Sequence, residues 1–300
     1  MKTNVTMLAL VLGITCMQSA QAQSFKRVTV NGNVPISQVA SGGNSVWALG
    51  NGKPFIFNGS SFALASNISL TQIAVGGGNA VQADAVWALN SSGDIYRASK
   101  SGASWVFSQV PGILDGITVG PGYQEGRCHP YEVWGLNTGS YIYRYDYCKG
   151  EFVQQPGTLC DIHTGGGDVW GADCGPNVYR FDFSTGVFDP IASPFQAFPA
   201  LTVGPNGEVW ATDSASTQVF QYDDNFSQFN EIDSGFGPVQ AGGDGVWAIS
   251  PINANHVYRF EASTLSFVQV PGAILSSISV GSGGGVWGII NSQVFAFSRP

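Results

Sequence analysis

Residues 85–97 read AVWALNSSGDIYR, and Trp105 and a VPG at 110–112 follow soon after. Two apolar, strand-like runs flank a cluster of Asn, Ser and Gly, the residues that tight turns need. The Val-Trp of this stretch recurs at Trp47, Trp134, Trp170, Trp210, Trp247 and Trp287. Including Trp87, the intervals are 40, 47, 36, 40, 37 and 40 residues. Before Val-Trp comes a short apolar strand ending in Gly: ITVG at 117–120, LTVG at 201–204, ISVG at 278–281. About nine residues after the Trp comes an aromatic strand: IYR at 95–97 and 142–144, VYR at 178–180 and 257–259, VFQ at 219–221. A fourth segment closes the unit, as in WVFSQVPG (105–112), EFVQQPG (151–157) and SFVQVPG (266–272). Four short strands at a period near 40 are the pattern of a propeller blade. No stretch of useful length carries a helical period, so helical repeat arrays are excluded.

Seven Val-Trp units predict an all-β, seven-bladed β-propeller of four-stranded blades, with six blades as the alternative. The seventh unit has only three strands and ends with VFAF at 294–297. FKRVTV at 25–30 reads as an orphan fourth strand. It is expected to become the outer strand of the last blade, removing the open edges of a linear array.

Composition agrees. Charged residues are 11% of the 300 and hydrophobic residues 44%, the reverse of a disordered chain. Gly accounts for 40 residues, about twice the usual share of ~7%, as expected for a chain with many tight turns. A formal charge of −8 opposes phosphate backbones, so no nucleic-acid partner is expected.

Residues 1–22 carry Lys2, an apolar run from Met7 to Met17, and the small-x-small site Ala20-Gln21-Ala22. They read as a signal peptide, leaving 23–300 as a single domain, secreted or periplasmic. The apolar run is shorter than the ~20 residues of a membrane span. Cleavage removes Cys16 and leaves Cys128, Cys148, Cys160 and Cys174. An even set in an exported chain favours two disulfides. Zinc is the weaker alternative, since no CxxC pair exists and His129 and His163 are unpatterned. In a four-stranded blade, turns alternate between the two faces of the ring. Cys128 and Cys148 fall in turns on one face, Cys160 and Cys174 on the other. The expected bonds are therefore Cys128–Cys148 and Cys160–Cys174.

The pattern VG…VWxLN…IYR…W/F…VPG, clearest in units two, three and six, resembles the tectonin repeats of β-propeller lectins. The resemblance spans nearly all of 23–300. It implies carbohydrate recognition, in some members of bacterial surface glycans and lipopolysaccharide. It assigns no binding residue, because those differ among members. Unit five, VGPNGEVWATDS (203–214), also resembles the repeat of streptogramin-lyase-type propellers, the enzyme alternative.

The repeated tryptophans are read as packing between blades, and Trp105 as a replacement for the Phe of the fourth strand (Phe152, Phe267). Arg97, Arg144, Arg180 and Arg259 follow a Tyr. The last three have a carboxylate two residues on (Asp146, Asp182, Glu261), which predicts weak surface pairs. The longest departure from the repeat is PGYQEGRCHPYE (121–132) in unit three. Its Tyr123, Arg127, His129 and Tyr131, with Glu125 between them, are the candidate ligand-binding residues, held on a loop a disulfide can stiffen. No catalytic residue is assigned, since GxSxG, HExxH and GxxxxGK[ST] are all absent. Asp168, Glu208 and Asp244 are expected to complete turns, and no calcium-loop spacing appears, so neither cofactor nor metal is assigned. The sequons at Asn58, Asn67, Asn90 and Asn225 receive no role. The reading is a glycan-binding lectin-like propeller acting through repeated shallow sites. A protein-interaction scaffold and a lyase-like enzyme are the alternatives.

Overall fold

A computed structural model describes residues 24–78, 82–122 and 128–298. They form seven sheets, antiparallel apart from one short parallel pair in blade one, and no α-helix. Each sheet is one blade, its strands in sequence order from the axis outward except that an N-terminal strand lies outermost in blades seven and one. Blade two is built from Gln72–Gly76, Ala85–Leu89, Asp94–Ser101 and Ser104–Ile113. Blade three follows with Gly116–Pro121, Tyr131–Leu136, Tyr141–Asp146 and Glu151–Thr158. Every inner strand touches the inner strand of the next blade, and the strand Ser277–Val280 touches Ile36–Ser41, so the ring is closed.

The Gly ending each inner strand permits this convergence. A Cβ on Gly76 would lie 2.2 Å from the Val119 carbonyl oxygen, and one on Gly165 2.3 Å from that of Val203. Part of the glycine excess therefore serves close backbone approach rather than turns.

Closure differs in detail from the expectation. Ser24–Arg27 is the outer strand of blade seven, with Phe25 opposite Phe297 and Arg27 opposite Phe295. The chain then leaves that blade at Val28. Thr29–Val30 pairs in parallel with Ser61–Leu64 and becomes a fifth strand of blade one. The 25–30 segment is thus shared by two blades instead of lying wholly in the last. The cause is apolar burial at the seam: Val28, Val30 and Val34 pack against a cluster containing Phe62, Trp287 and Val294.

Candidate functional site

All seven Val-Trp indoles are buried, at 0–6% exposure. Each packs edge-on against an aromatic of the following blade. The ring centroids lie 4.6 Å apart for Trp87–Tyr145, 4.7 Å for Trp134–Phe181, and 4.8 Å for Trp287–Phe57 across the closing seam. These rings weld the blades and offer no face to a ligand. Blade two lacks the third-strand aromatic, having Ala98 opposite Phe107 where blade three has Tyr145 opposite Phe152. Phe107 is therefore the counterpart of Phe152. Trp105 is an additional ring that fills the space left by Ala98, 4.8 Å from Trp47. It does not replace the fourth-strand Phe.

The arginines also find other partners than the sequence pattern predicts. Strand register sets Arg97, Arg144, Arg180 and Arg259 opposite Trp87, Trp134, Trp170 and Trp247. Each guanidinium lies over its indole, 5.4–6.0 Å from the ring centroid. The acid within reach then lies two residues before the Trp in blades three and four, and three before it in blade six. Arg144 donates through Nε and Nη2 to both oxygens of the fully buried Glu132, at 2.9 and 2.7 Å. Trp134 Nε1 donates to the same carboxylate at 2.7 Å. Arg180 bonds Asp168 at 2.9 Å and Asp224 of blade five at 3.1 Å. Arg259 donates to the Asp244 carbonyl at 2.9 Å. Asp146 and Asp182, expected as partners, are the last residues of their strands and accept turn N–H groups instead. Those hydrogen bonds hold both carboxyls below the ordinary range, in Asp146 against an opposing contribution from desolvation.

Arg97 is the exception. Two residues before Trp87 stands Ala85, so no acid occupies the position of Glu132. The Arg97 guanidinium stacks instead on Tyr147 of blade three, 5.0 Å from its ring centroid. Tyr131 lies beside Tyr147, with ring centroids 6.1 Å apart.

Two of the four candidate residues, His129 and Tyr131, are described; Tyr123 and Arg127 lie outside the described residues, as does Glu125. The loop is anchored on both sides. Cys128 is bonded to Cys148 in the turn between the third and fourth strands, and Tyr147 N–H donates to the Cys128 carbonyl at 3.0 Å. The Tyr131 hydroxyl donates to the Ala83 carbonyl at 2.6 Å, and Gln82 Nε2 to that of Pro130 at 3.2 Å, tying the loop to blade two. Burial and the nearby Arg144 charge hold His129 below its ordinary value, so its ring is neutral at pH 7. Burial pushes the Tyr147 phenol up. On the same ring face, beside blade four, is a groove of about 440 Å3. It has Phe181, Phe183 and Ile191 in its wall, with Asp168, Arg180 and Asp189 alongside. On the opposite ring face, Cys160 is bonded to Cys174.

One feature lies in the channel and is invisible as a motif. Asp161 and His163, on the inner strand of blade four, form a pair at 3.0 Å. The matching position in blade one is Gln38, whose side-chain amide clamps the Ile73 N–H and C=O of blade two, both at 3.0 Å. Asp161 likewise accepts from the Leu201 backbone of blade five, and His163 serves as its counter-ion. Burial opposes both charges, yet the pairing prevails: Asp161 titrates below and His163 above the ordinary value. The pair reads as an inter-blade tie. The cavity in the channel, about 410 Å3, is lined by neutral groups including Gln38, Gln240, Ser277 and Ser279.

The tectonin-domain model matches residues 17–189 and 198–299. The chain belongs to the tectonin family. This tectonin has no match among curated proteins. Its fold is similar to that of a streptogramin B lyase, at 15% identity, covering 94% of this chain and 100% of the other, with a TM-score of 0.68. It is also similar to a catalytically inactive variant of virginiamycin B lyase from Staphylococcus aureus with quinupristin (15% identity, 92% and 98% covered, TM-score 0.67). A third similar structure is YCF48 bound to D1 peptide (12% identity, 92% and 96% covered, TM-score 0.64). At these identities the likeness is one of fold.

Proposed function

We propose that this tectonin is an exported glycan-binding protein, that residues 1–22 are its cleaved leader, and that the face around blade three is its binding face. The observation that carries the reading is the aromatic shelf of Tyr131 and Tyr147, roofed by Arg97 and held by the Cys128–Cys148 bond. Half-buried aromatic rings beside an exposed guanidinium combine the apolar and hydrogen-bonding surface that suits the alternating CH and OH groups of a pyranose. The candidate loop residues Tyr123, Arg127, His129 and Tyr131 adjoin this shelf in sequence. The blade-four groove lies on the same ring face and offers a second shallow site, so a branched or repetitive glycan gains from avidity by a factor of about 10²–10⁴. Two disulfides fit an oxidising compartment. Among the described residues no helix is long and apolar enough to cross a membrane.

The test is a glycan array that includes bacterial polysaccharides and lipopolysaccharide. It is run with the wild-type chain lacking 1–22 and with a Tyr123→Ala/Arg127→Gln double variant. The expected result is binding that free sugar competes away and that the double variant weakens. A blank array from a chain shown to be folded would contradict glycan binding and favour the protein scaffold. Full binding by the double variant would remove the loop from the site.

A further inference from the structure

We infer that the surface where Arg97 of blade two meets Tyr147 and Tyr131 of blade three takes an acidic saccharide, whose carboxylate is received by the Arg97 guanidinium; the inference rests on the glycan-binding reading above. The repeat itself defines what is unusual about Arg97. In blades three and four the arginine over the tryptophan donates to a carboxylate of the same blade, and in blade six Arg259 donates to the Asp244 backbone carbonyl with its Nε 3.6 Å from that residue's carboxylate. In blade two Ala85 stands where blades three and four have the acid, and Asp84, at the offset of Asp244, is turned away to the Gly43, Asn44 and Ser45 N–H groups of blade one, so that among the described residues Arg97 makes neither a hydrogen bond nor an ion pair. Among the described residues its five N–H donors have no acceptor.

These donors are nevertheless held in place. One face of the guanidinium is stacked on Tyr147, and Trp87 lies 6.0 Å away, which fixes its plane while its edge stays in solvent. A fork held in this way loses little freedom when a planar carboxylate docks edge-on. The chain contains its own example of that contact: the two-point bond between Arg144 and Glu132 one blade away. With a formal charge of −8 the protein repels anions at long range, so an anion is retained only where a cation is locally unpaired. The half-buried Tyr131 and Tyr147 beside the guanidinium add apolar surface that a sugar can use and a bare anion cannot.

The experiment titrates the wild-type chain with a glucuronic-acid-terminated oligosaccharide, with its methyl ester, and with acetate. The acid form should bind roughly tenfold or more tighter than the ester, the scale of a charged hydrogen-bond pair. Acetate should not compete at equal concentration. Arg97→Gln should abolish the difference between acid and ester. Ala85→Glu should do the same without removing any group, because it installs in blade two the acid of blade three. Equal binding of acid and ester by the wild-type chain would overturn the inference, as would an acid preference that survives both substitutions. Competition by acetate would overturn the saccharide part of it. Binding confined to neutral sugars on the array would also overturn it and leave the glycan reading standing. An array blank for every sugar would overturn both.

Discussion

Blades two and three carry the same Tyr-Arg dipeptide on the same strand, over the same tryptophan, yet the two arginines live differently. Arg144 is enclosed, with both oxygens of a fully buried Glu132 bonded to it. Arg97 is exposed and stacked on Tyr147, facing Ala85 where the acid would be. A closed ring needs its blades welded, but it does not need every blade to complete the same polar unit. A repeat can therefore leave one copy unfinished at little cost in stability, and the unfinished copy is available for a ligand.

The largest effect expected from this contrast is on the finished side. Glu132→Ala strands a buried guanidinium and the Trp134 N–H, and should cost about 3–5 kcal/mol in denaturant unfolding. Ala85 is itself buried, so in the reverse change, Ala85→Glu, the pair with Arg97 is set against the cost of desolvating the new carboxylate, and the net change should be smaller than that of Glu132→Ala. Equal costs in the two blades would break the comparison. Next come the two disulfides. Cys128→Ser/Cys148→Ser and Cys160→Ser/Cys174→Ser should each lower stability by roughly 3 kcal/mol, given closed loops of 20 and 14 residues. Only the first pair should also weaken glycan binding, because only it braces the shelf. Array binding alongside unfolding curves separates the two consequences.

A smaller effect belongs to blade four, whose acid is paired inside the channel. His163 titrates above its ordinary 6.5, so its contribution is complete below that value and is lost as pH rises through its higher folded value. Asp161 titrates below 3.8, so its contribution is present above that value and is lost as pH falls through its lower folded value. Stability measured against pH should show a plateau between these limits, and His163→Gln should remove the alkaline decline. A decline that persists in that variant would assign it to other groups. The smallest effect is at Arg97 itself. Arg97→Gln should leave the unfolding midpoint nearly unchanged, within about 0.5 kcal/mol, while abolishing the preference for acidic sugar.

The blade count and the cysteine pairing could both be read from spacing, because Val-Trp marks a fixed place in every blade and turns alternate faces by geometry. Partner choice could not. Asp146 and Asp182 are neighbours of an arginine along the chain, but the register Trp134↔Arg144 sets the guanidinium beside an acid twelve residues earlier. Cross-strand register is not visible in a single repeat. Trp105 misled for a related reason: the gap it fills is made by Ala98, on another strand. The division of 25–30 between two blades depends on the apolar seam at Trp287, which exists only once the ring has closed. At the candidate site, the departure of 121–132 from the repeat was evident. Tyr147 and Arg97 were not associated with it, although the missing acid at Ala85 was a signal available in the aligned units.

The most direct test is a crystal structure of the chain with a glycan that the array identifies. The account predicts sugar density against Tyr131 and Tyr147, with an acidic group within hydrogen-bonding distance of Arg97. Sugar bound in the central channel, or on blades five to seven with the surface around Arg97 empty, would contradict it.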